Sequence, residues 1–212
     1  MNHFETCQCL KAYRQCCEDY IAVIHDGSRT VIVVADGAGG VGSGDIAAKT
    51  VVREVSADYS QMETAEHWQA KLRQIDLQID TGESTAVVAD LRPEGVCGAS
   101  VGDSQAWIVR YSEITDLTSQ QHRKPLLGSR EAAPVGFSYP PLQGILLAAT
   151  DGFFNYAPRK KIASLIERSD FYEIPRQCVE MVRLGSGELW DDVGVVACRV
   201  KPRSTSRKRY VL

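Results

Sequence analysis

The chain has 212 residues, of which 44% are apolar and 24% are charged, ordinary values for a soluble globular protein. Its net charge of −3 gives no overall basic field that would indicate a nucleic acid or a membrane surface as a partner. No run approaches the ~18 apolar residues of a membrane span, and the first residues, MNHFETCQCLK, lack the apolar core of a secretory signal. We therefore expect a cytoplasmic protein, with one domain over residues 1–200 and a basic tail over 201–212.

The seven cysteines are an odd number with no framework spacing, which indicates reduced thiols. Four of them crowd the N-terminal region and raise the alternative of a zinc site, but their spacing matches no zinc template: Cys7, Cys9, Cys16 and Cys17. A cysteine phosphatase needs an arginine six residues after its cysteine to hold the phosphate. None of the cysteines has one, so this class of enzyme is excluded.

The first predicted elements form a hairpin that is followed by two helices. Residues 19–24 and 29–35 are rich in β-branched and apolar side chains, and the Asp-Gly pair between them is typical of a hairpin turn. The second strand ends at Asp36, before a glycine-rich segment. Apolar residues then recur at helical spacing over roughly 45–57 and, more clearly, over 64–79.

The remainder of the chain is predicted to alternate between strands and helices. STAVVADL, VCGASVGD and QAWIVRY predict three short strands, and EITDL adds a fourth. Residues 118–144 are polar and rich in proline, so we expect a long functional loop without a regular element. A buried strand, GILLAAT, helices over 158–168 and 174–184, and a final strand, DDVGVVACRV, complete the chain. Neighbouring strands and paired helices predict antiparallel sheets with helices packed outside, an α+β layered fold.

Four aspartates share one setting, at the ends of predicted strands: Asp36, Asp103, Asp151 and Asp192. A carboxylate at the end of a buried strand is costly unless it is paired or bound to a metal, and Mg²⁺ and Mn²⁺ prefer oxygen ligands. Any one of them alone is more often a turn residue. Four together, with Glu18 and Asp19 opening the first strand, indicate a metal site.

Three further residues suit a site that binds a metal and a phosphate. Arg14 lies four residues before Glu18 and is a candidate phosphate ligand. Gly37 and Gly152 each follow a strand-end aspartate, where a glycine allows the backbone to pass close to another group.

A dinucleotide-binding alternative comes from the glycine-rich segment. Gly37, Gly39 and Gly42 satisfy G-x-G-x-x-G between a predicted strand and a predicted helix. However, Asp36 would place a carboxylate beside the pyrophosphate, and no second strand with a terminal acid follows about twenty residues on. A P-loop is excluded because no lysine follows Gly44. A dinucleotide-binding oxidoreductase therefore remains a distant alternative.

Six segments resemble, in family order, the motifs of the metal-dependent protein phosphatases of the PPM type, also called type 2C. They are RQCCED at 14–19, VADGAGG at 34–40, STAVVADL at 84–91, GDSQAWIVR at 102–110, TDGFFNY at 150–156 and DDVGVV at 191–196. Each is weak by itself, but six in order are specific, and together they cover about residues 14 to 200. The compact chain resembles the small bacterial members of this family.

The resemblance implies a fold, an activity and a cofactor. The family fold is a four-layer α-β-β-α sandwich, in which two antiparallel sheets lie between helix pairs. The implied activity is hydrolysis of phosphoserine and phosphothreonine in proteins, by direct attack of water activated by two Mg²⁺ or Mn²⁺ ions about 3.5–4 Å apart. The implied partner is a phosphoprotein substrate, in opposition to a serine/threonine kinase. Nucleic acid and membranes are not expected partners.

The resemblance also assigns a role to each candidate residue. Asp36 would bridge two metals, the Gly37 carbonyl would bind one of them, and Asp151 and Asp192 would complete the first metal's shell. Asp103 would match the aspartate of a third metal. In the opening motif, Arg14 would bind the substrate phosphate, and Glu18 and Asp19 would hold metal-bound waters.

The chain departs from the family pattern at four positions. Cys17 and Val193 replace asparagines, Gln105 replaces an arginine, and Ala38 replaces the histidine that would serve as general acid. None of these changes removes a metal-binding carboxylate, so we expect an active enzyme. The alternative from another class is a non-catalytic protein that binds phosphoproteins on the same fold.

Overall fold

The computed structural model describes residues 2–38, 43–111 and 113–202. Its strands, in chain order, are β1 Phe4–Lys11, β2 Asp19–Asp26, β3 Arg29–Ala38, β4 Glu83–Ser84, β5 Ala86–Arg92, β6 Gly95–Val101, β7 Gln105–Arg110, β8 Glu113–Asp116, β9 Val135–Tyr139, β10 Ile145–Ala149 and β11 Val193–Val200. Its α-helices are α1 Gly44–Asp58, α2 Ala65–Gln78, α3 Asp151–Phe154, α4 Arg159–Arg168 and α5 Ile174–Val182.

The strands form two sheets in which every described pairing is antiparallel. One sheet has the order β1-β11-β10-β7-β8, and the other has the order β2-β3-β5-β6-β9, with β4 paired to β3. Helices α1 and α2 pack on the outer face of the second sheet, and α3, α4 and α5 on that of the first. The predicted four-layer α-β-β-α sandwich is confirmed.

Alternation of side chains along the strands explains the layers. In β3, Val31, Val33 and Ala35 face the helices, whereas Ile32 and Val34 face the other sheet. A strand that is apolar at every position must be covered on both faces, because successive side chains point to opposite sides. The pattern VIVVA therefore explains why β3 lies in the interior of the stack.

Helix α2 follows the predicted stripe closely. Trp68, Leu72 and Ile75 are fully buried, and Thr64 caps the helix by accepting a 3.3 Å hydrogen bond from the backbone N–H of His67. Hydrophobic residues at this spacing share one face of a helix, and a threonine before the first turn satisfies one of its free N–H groups. The predicted helix is confirmed, one residue shorter at each end.

Two strands, β9 and β1, are the longest elements that the sequence did not predict. Residues 118–144, expected to form a loop without regular structure, contain strand β9, which closes the edge of the second sheet beside β6. The N-terminal strand β1 was not predicted. Both lie at sheet edges, and most of their residues are half-buried or exposed, so neither has the continuous apolar run that predicts a central strand.

The long connection between β8 and β9 is fixed by one buried carboxylate. Asp76 of α2 is 3% exposed and accepts hydrogen bonds from the backbone N–H groups of Gly128, Arg130 and Ala132, at 2.7, 3.0 and 3.1 Å. Leu127 also forms a bridge with Ser84 through paired backbone hydrogen bonds. A connection that looks irregular in sequence is therefore anchored, because its backbone N–H groups have a charged acceptor.

Two sequence-based predictions fall outside the described residues. They concern the glycines at 39, 40 and 42, and the part of the basic tail beyond residue 202. Among the helices of the described chain, none has the length and apolar character needed to cross a membrane.

We predict that Asp76→Ala destabilises the protein by about 2–4 kcal/mol, because three backbone N–H groups lose a charged acceptor. Denaturant unfolding measures this change, and hydrogen exchange should show faster exchange at residues 128–132. Asp80→Ala is the matched control, since Asp80 is exposed at the end of the same helix. Equal stability of the two variants would contradict the anchoring role of Asp76.

Candidate metal and phosphate site

The second sheet brings two carboxylates to the edge between the sheets. Asp19 opens β2 and lies directly opposite Asp36 near the end of β3 in the antiparallel register. Asp19 is 2% exposed, and Asp36 is partly buried. Directly opposed residues have side chains within contact distance, so this pairing forces two acids together.

Two further aspartates approach Asp36 from connecting segments. Asp103 lies in the turn between β6 and β7, and Asp151 is the first residue of α3, directly after β10. One carboxylate oxygen from each of Asp36, Asp103 and Asp151 lies within 4.8 Å of the others. The structure therefore brings together three of the four strand-end aspartates selected from the sequence.

Hydroxyl groups behind the carboxylates fix these strand ends. Thr85 Oγ1 accepts a 3.0 Å hydrogen bond from the backbone N–H of Asp36 and lies 2.7 Å from the hydroxyl oxygen of Ser104, the residue after Asp103. Thr150 donates its hydroxyl to Asp19 at 2.7 Å and accepts the backbone N–H of Gly194 at 2.9 Å. The segments that carry the aspartates are thus joined across both sheets.

The fourth selected aspartate, Asp192, has a different role in the structure. Its two oxygens accept hydrogen bonds from the backbone N–H groups of Tyr13 and Glu18, each at 2.6 Å. It therefore ties the segment before β2 to the start of β11. Within the described residues it does not belong to the group formed by Asp36, Asp103 and Asp151.

Its neighbour Asp191 was not selected from the sequence, although its charge acts on the site. Its negative charge contributes to the raised pKa values of Asp36, Asp19 and Asp151, and the charge of Asp192 also contributes to that of Asp19. The only signal in the sequence was the Asp-Asp pair itself. Both residues precede β11, which begins at Val193, so the alternation of side chains along a strand gives no prediction of their directions.

The site contains several acidic groups whose negative charges are not balanced by neighbouring cations. Burial, followed by the charges of Asp19 and Asp151, raises the pKa of Asp36 from its ordinary 3.8 to about 10. Burial also raises the pKa of Asp19 to about 8, against the hydrogen bond from Thr150. Burial and the charge of Asp103 raise the pKa of Asp151. A carboxylate in such surroundings ionises readily only if a cation is added.

The remaining selected residues lie around this group. The Glu18 side chain is half-buried, and burial and the charge of Asp192 raise its pKa. Arg14 is exposed, lies over the Tyr13 ring at 5.0 Å, and its charge opposes the rise in the pKa of Asp191. Its guanidinium is therefore near the acidic edge but makes none of the described ion pairs there.

A second arginine was missed in the sequence. Arg123, in the long connection after β8, forms a 2.8 Å ion pair with Asp103, and its side chain is 73% exposed. Its position depends on the backbone hydrogen bond from Gly102 to the carbonyl of His122 and on the hydrogen bond from the Gln121 side chain to the Ser104 carbonyl, both 2.8 Å. The sequence gave no signal for it, since residue 123 is twenty positions from Asp103.

The two glycines singled out in the sequence occupy tight positions. A side chain at Gly37 would place its Cβ 2.1 Å from the Gly44 carbonyl oxygen, and one at Gly152 would place it 2.0 Å from that of Asp192. Both approaches are between backbone segments of the protein itself. Glycine is therefore required for packing the strand ends together.

The two alternative sites are not supported by the structure. Strand β3 is flanked by antiparallel neighbours, β2 and β5, so the parallel βαβ unit of a dinucleotide-binding fold is absent from the described residues. Cys7 and Cys9 pack against the hydrophobic core beside α5, whereas Cys16 is exposed. No metal-binding group that includes a cysteine is present in the described part of the chain.

Comparison with solved structures identifies the fold. The sequence matches no protein-family model and no curated protein. Its structure is similar to a bacterial serine phosphatase, with a TM-score of 0.83 and 22% identity over 95% of this chain and 100% of that one. It is also similar to the catalytic domain of the serine/threonine protein phosphatase PstP in complex with two manganese ions (TM-score 0.80, 16% identity, 94% of this chain and 99% of that one).

A third similar structure is the serine/threonine phosphatase Stp1 from Staphylococcus aureus, with a TM-score of 0.78 and 19% identity over 95% of this chain and 96% of that one. All three span nearly the full length of both chains. The chain therefore has the fold of the bacterial serine/threonine phosphatases, and the fold implied by the resemblance in its motifs is confirmed.

We predict that the metal-free protein loses stability as the pH rises from about 4 toward 8. Folding raises the pKa of Asp36 from 3.8 to about 10 and that of Asp19 to about 8, so the folded state holds protons that the unfolded chain has released. Urea unfolding in EDTA at pH 5 and pH 8 measures the difference, and Asp36→Asn should reduce it. Asp80→Asn, an exposed change, should leave it unaltered; an equal pH dependence in all three proteins would contradict the prediction.

Proposed function

We propose that the protein is a metal-dependent phosphatase that hydrolyses phosphoserine and phosphothreonine in proteins. The observation that carries this proposal is the group of three carboxylates, Asp36, Asp103 and Asp151, on a fold shared with bacterial serine/threonine phosphatases. A phosphoprotein, phosphorylated by a serine/threonine kinase in the same cell, is the proposed substrate. The cytoplasm is the proposed location.

The donor set fits Mg²⁺ or Mn²⁺. All the candidate ligands are oxygen atoms, which these ions prefer. The pKa values of Asp36 and Asp151 are raised by burial and by neighbouring acids, so a cation bound between these residues would favour their ionised forms. We propose that Asp36 and the Gly37 carbonyl, with Asp151, hold two ions, that Asp191 or Asp192 completes the set, and that Asp103 holds a third. PstP, the similar structure with two manganese ions, supports this number for the main site.

The chemistry divides between the ions and the side chains of the chain. When bound, two divalent ions lower the pKa of a shared water toward about 7 and neutralise phosphoryl charge. We propose that Glu18 and Asp19 orient water through their carboxylates and that Arg14 binds phosphoryl oxygens. Water then attacks phosphorus, the bond from phosphorus to the serine or threonine oxygen breaks, and the alcohol leaves with a proton that, in the net reaction, comes from the attacking water. Ala38 cannot supply that proton, because it has no titratable group.

Arg123 is a second candidate for the substrate phosphate. Its guanidinium is bound to Asp103 on one side, yet most of its side chain is exposed. A guanidinium can share its donors between a carboxylate and a phosphate because it has five N–H groups. We therefore propose that Arg123 neutralises phosphate charge together with Arg14.

The alternative, a non-catalytic phosphoprotein-binding protein, has less support. It would account for the four departures from the family motifs, but it gives no reason to concentrate buried carboxylates where a phosphate must bind. Without cations, those carboxyl groups offer a phosphate no positive charge to bind. A binding protein without metals would be expected to carry a basic site instead.

We predict that p-nitrophenyl phosphate turnover requires Mn²⁺ or Mg²⁺ and is lost in EDTA. Asp36→Asn should lower kcat by at least tenfold, about 1.4 kcal/mol, because the residue proposed to bridge two ions loses its charge. Asp80→Asn serves as the control for an acidic residue outside the site. Turnover that survives exhaustive chelation would refute the mechanism, and no turnover with either metal would favour the non-catalytic alternative.

We predict that Arg14→Ala raises KM at least tenfold while metal affinity stays within about twofold of the wild type. The guanidinium is proposed to bind phosphate, and it makes none of the described ion pairs with the metal carboxylates, so its loss should affect the substrate far more than the metals. Steady-state kinetics and calorimetric titration with Mn²⁺ measure the two effects. Arg73→Ala, an exposed arginine on α2, is the matched control. Unchanged KM and kcat would show that Arg14 does not bind the substrate.

A further inference from the structure

The arginine that is proposed to bind the substrate phosphate lies over the ring of the residue before it. The guanidinium carbon of Arg14 is 5.0 Å from the centroid of the Tyr13 ring. A guanidinium at this distance is attracted by the negative face of an aromatic ring. Arg14 is exposed and forms no ion pair or side-chain hydrogen bond with another described residue. Among the described side chains, the Tyr13 ring is therefore the one that restrains it.

Backbone hydrogen bonds fix this pair to the acidic edge. The N–H groups of Tyr13 and Glu18 donate to the two oxygens of Asp192, each at 2.6 Å. Asp192 is buried, so one carboxylate closes the short segment that carries the arginine. The Glu18 carbonyl in turn accepts the N–H of Gly37, near the end of β3, at 3.1 Å. The position of the Tyr13 backbone is therefore set by the same strand ends that carry the acidic group.

The acids nearby leave the guanidinium available for a ligand. The charge of Arg14 lowers the pKa of Asp191, against the larger effect of burial, so the arginine acts on this acid electrostatically. Asp192 already accepts a backbone N–H group on each of its oxygens. Neither acid forms an ion pair with Arg14 among the described residues, so the N–H groups of the guanidinium are not taken by a carboxylate.

A ring restrains an arginine without occupying its hydrogen-bond donors. Stacking uses the face of the guanidinium, whereas its five N–H groups point outward in the plane and remain free to bind phosphoryl oxygens. Arg123 differs in this respect, since it already donates to Asp103. A long side chain loses rotamer freedom when it binds a ligand, and a ring that already restricts Arg14 lowers this cost.

We propose that Tyr13 is a positioning residue for Arg14, whose ring holds the guanidinium in the orientation in which it binds the substrate phosphate. This proposal rests on the proposed function, because the phosphate-binding role of Arg14 belongs to it. The interaction needs the face of the ring and not the phenol hydroxyl. Phenylalanine should therefore replace Tyr13, whereas leucine, which is apolar but has no aromatic face, should not.

The test is the binding of a fluorescent peptide with a non-hydrolysable phosphonate in place of phosphoserine, measured by anisotropy with Mn²⁺. A matched serine peptide gives the part of the binding that does not depend on the phosphonate. Tyr13→Leu should weaken phosphonate binding about two- to fivefold, the effect of an exposed contact of this kind, and Tyr13→Phe should retain most of the affinity. In the Arg14→Ala background, Tyr13→Leu should cause no further loss, because no guanidinium is left to position. With p-nitrophenyl phosphate, Tyr13→Leu should raise KM by the same factor and change kcat less.

Tyr111→Leu is the matched control, because the Tyr111 ring also lies 5.0 Å from the guanidinium of its neighbour, Arg110, at the far end of β7 from Asp103. It should leave phosphonate binding unchanged. Unchanged or tighter binding in Tyr13→Leu would overturn the proposal. So would an equal loss in the Arg14→Ala background, which would show that the tyrosine acts on the fold and not through the arginine. The binding measurement needs no hydrolysis, so its failure is distinct from that of the proposed function, which wild-type turnover of p-nitrophenyl phosphate tests.

Discussion

Several carboxylates meet at one edge between the two sheets, and the rest of the structure must offset their mutual repulsion. They are Asp19, Asp36, Asp103 and Asp151, and each acts on the pKa of at least one other. Like charges that are also shielded from water raise the free energy of the folded chain. The surrounding protein must therefore hold them in place by other means, and a bound cation would relieve the repulsion.

Those other means are hydrogen bonds from hydroxyl and backbone groups. Thr150 links Asp19 to Gly194, and Thr85 joins the end of β3 to the turn that carries Asp103 through Ser104. Asp192 fixes the segment before β2 by accepting two backbone N–H groups. Each link crosses from one sheet or connection to another, so the acidic group and the packing of the two sheets support each other.

Chains with few identical residues can adopt this fold. The chain is 16–22% identical to the similar phosphatases described above, yet the TM-scores are 0.78–0.83. A four-layer sandwich tolerates exchange among apolar residues in its core as long as pattern and volume are retained. The acidic residues of the motifs lie at strand ends and turns, and Gly37 and Gly152 lie where a Cβ would meet backbone atoms.

The sequence by itself determined the layered fold and most of the acidic group. Alternating and continuous apolar runs predicted the interior strands, and the strand-end positions identified Asp36, Asp103 and Asp151, because both signals are local. Only the tertiary structure showed that Asp192 holds the segment before β2, brought Arg123 to Asp103, and placed β1 and β9 at the sheet edges. These features depend on contacts between residues far apart in the chain or on the direction of a side chain at a strand end, and neither leaves a periodic pattern in the sequence.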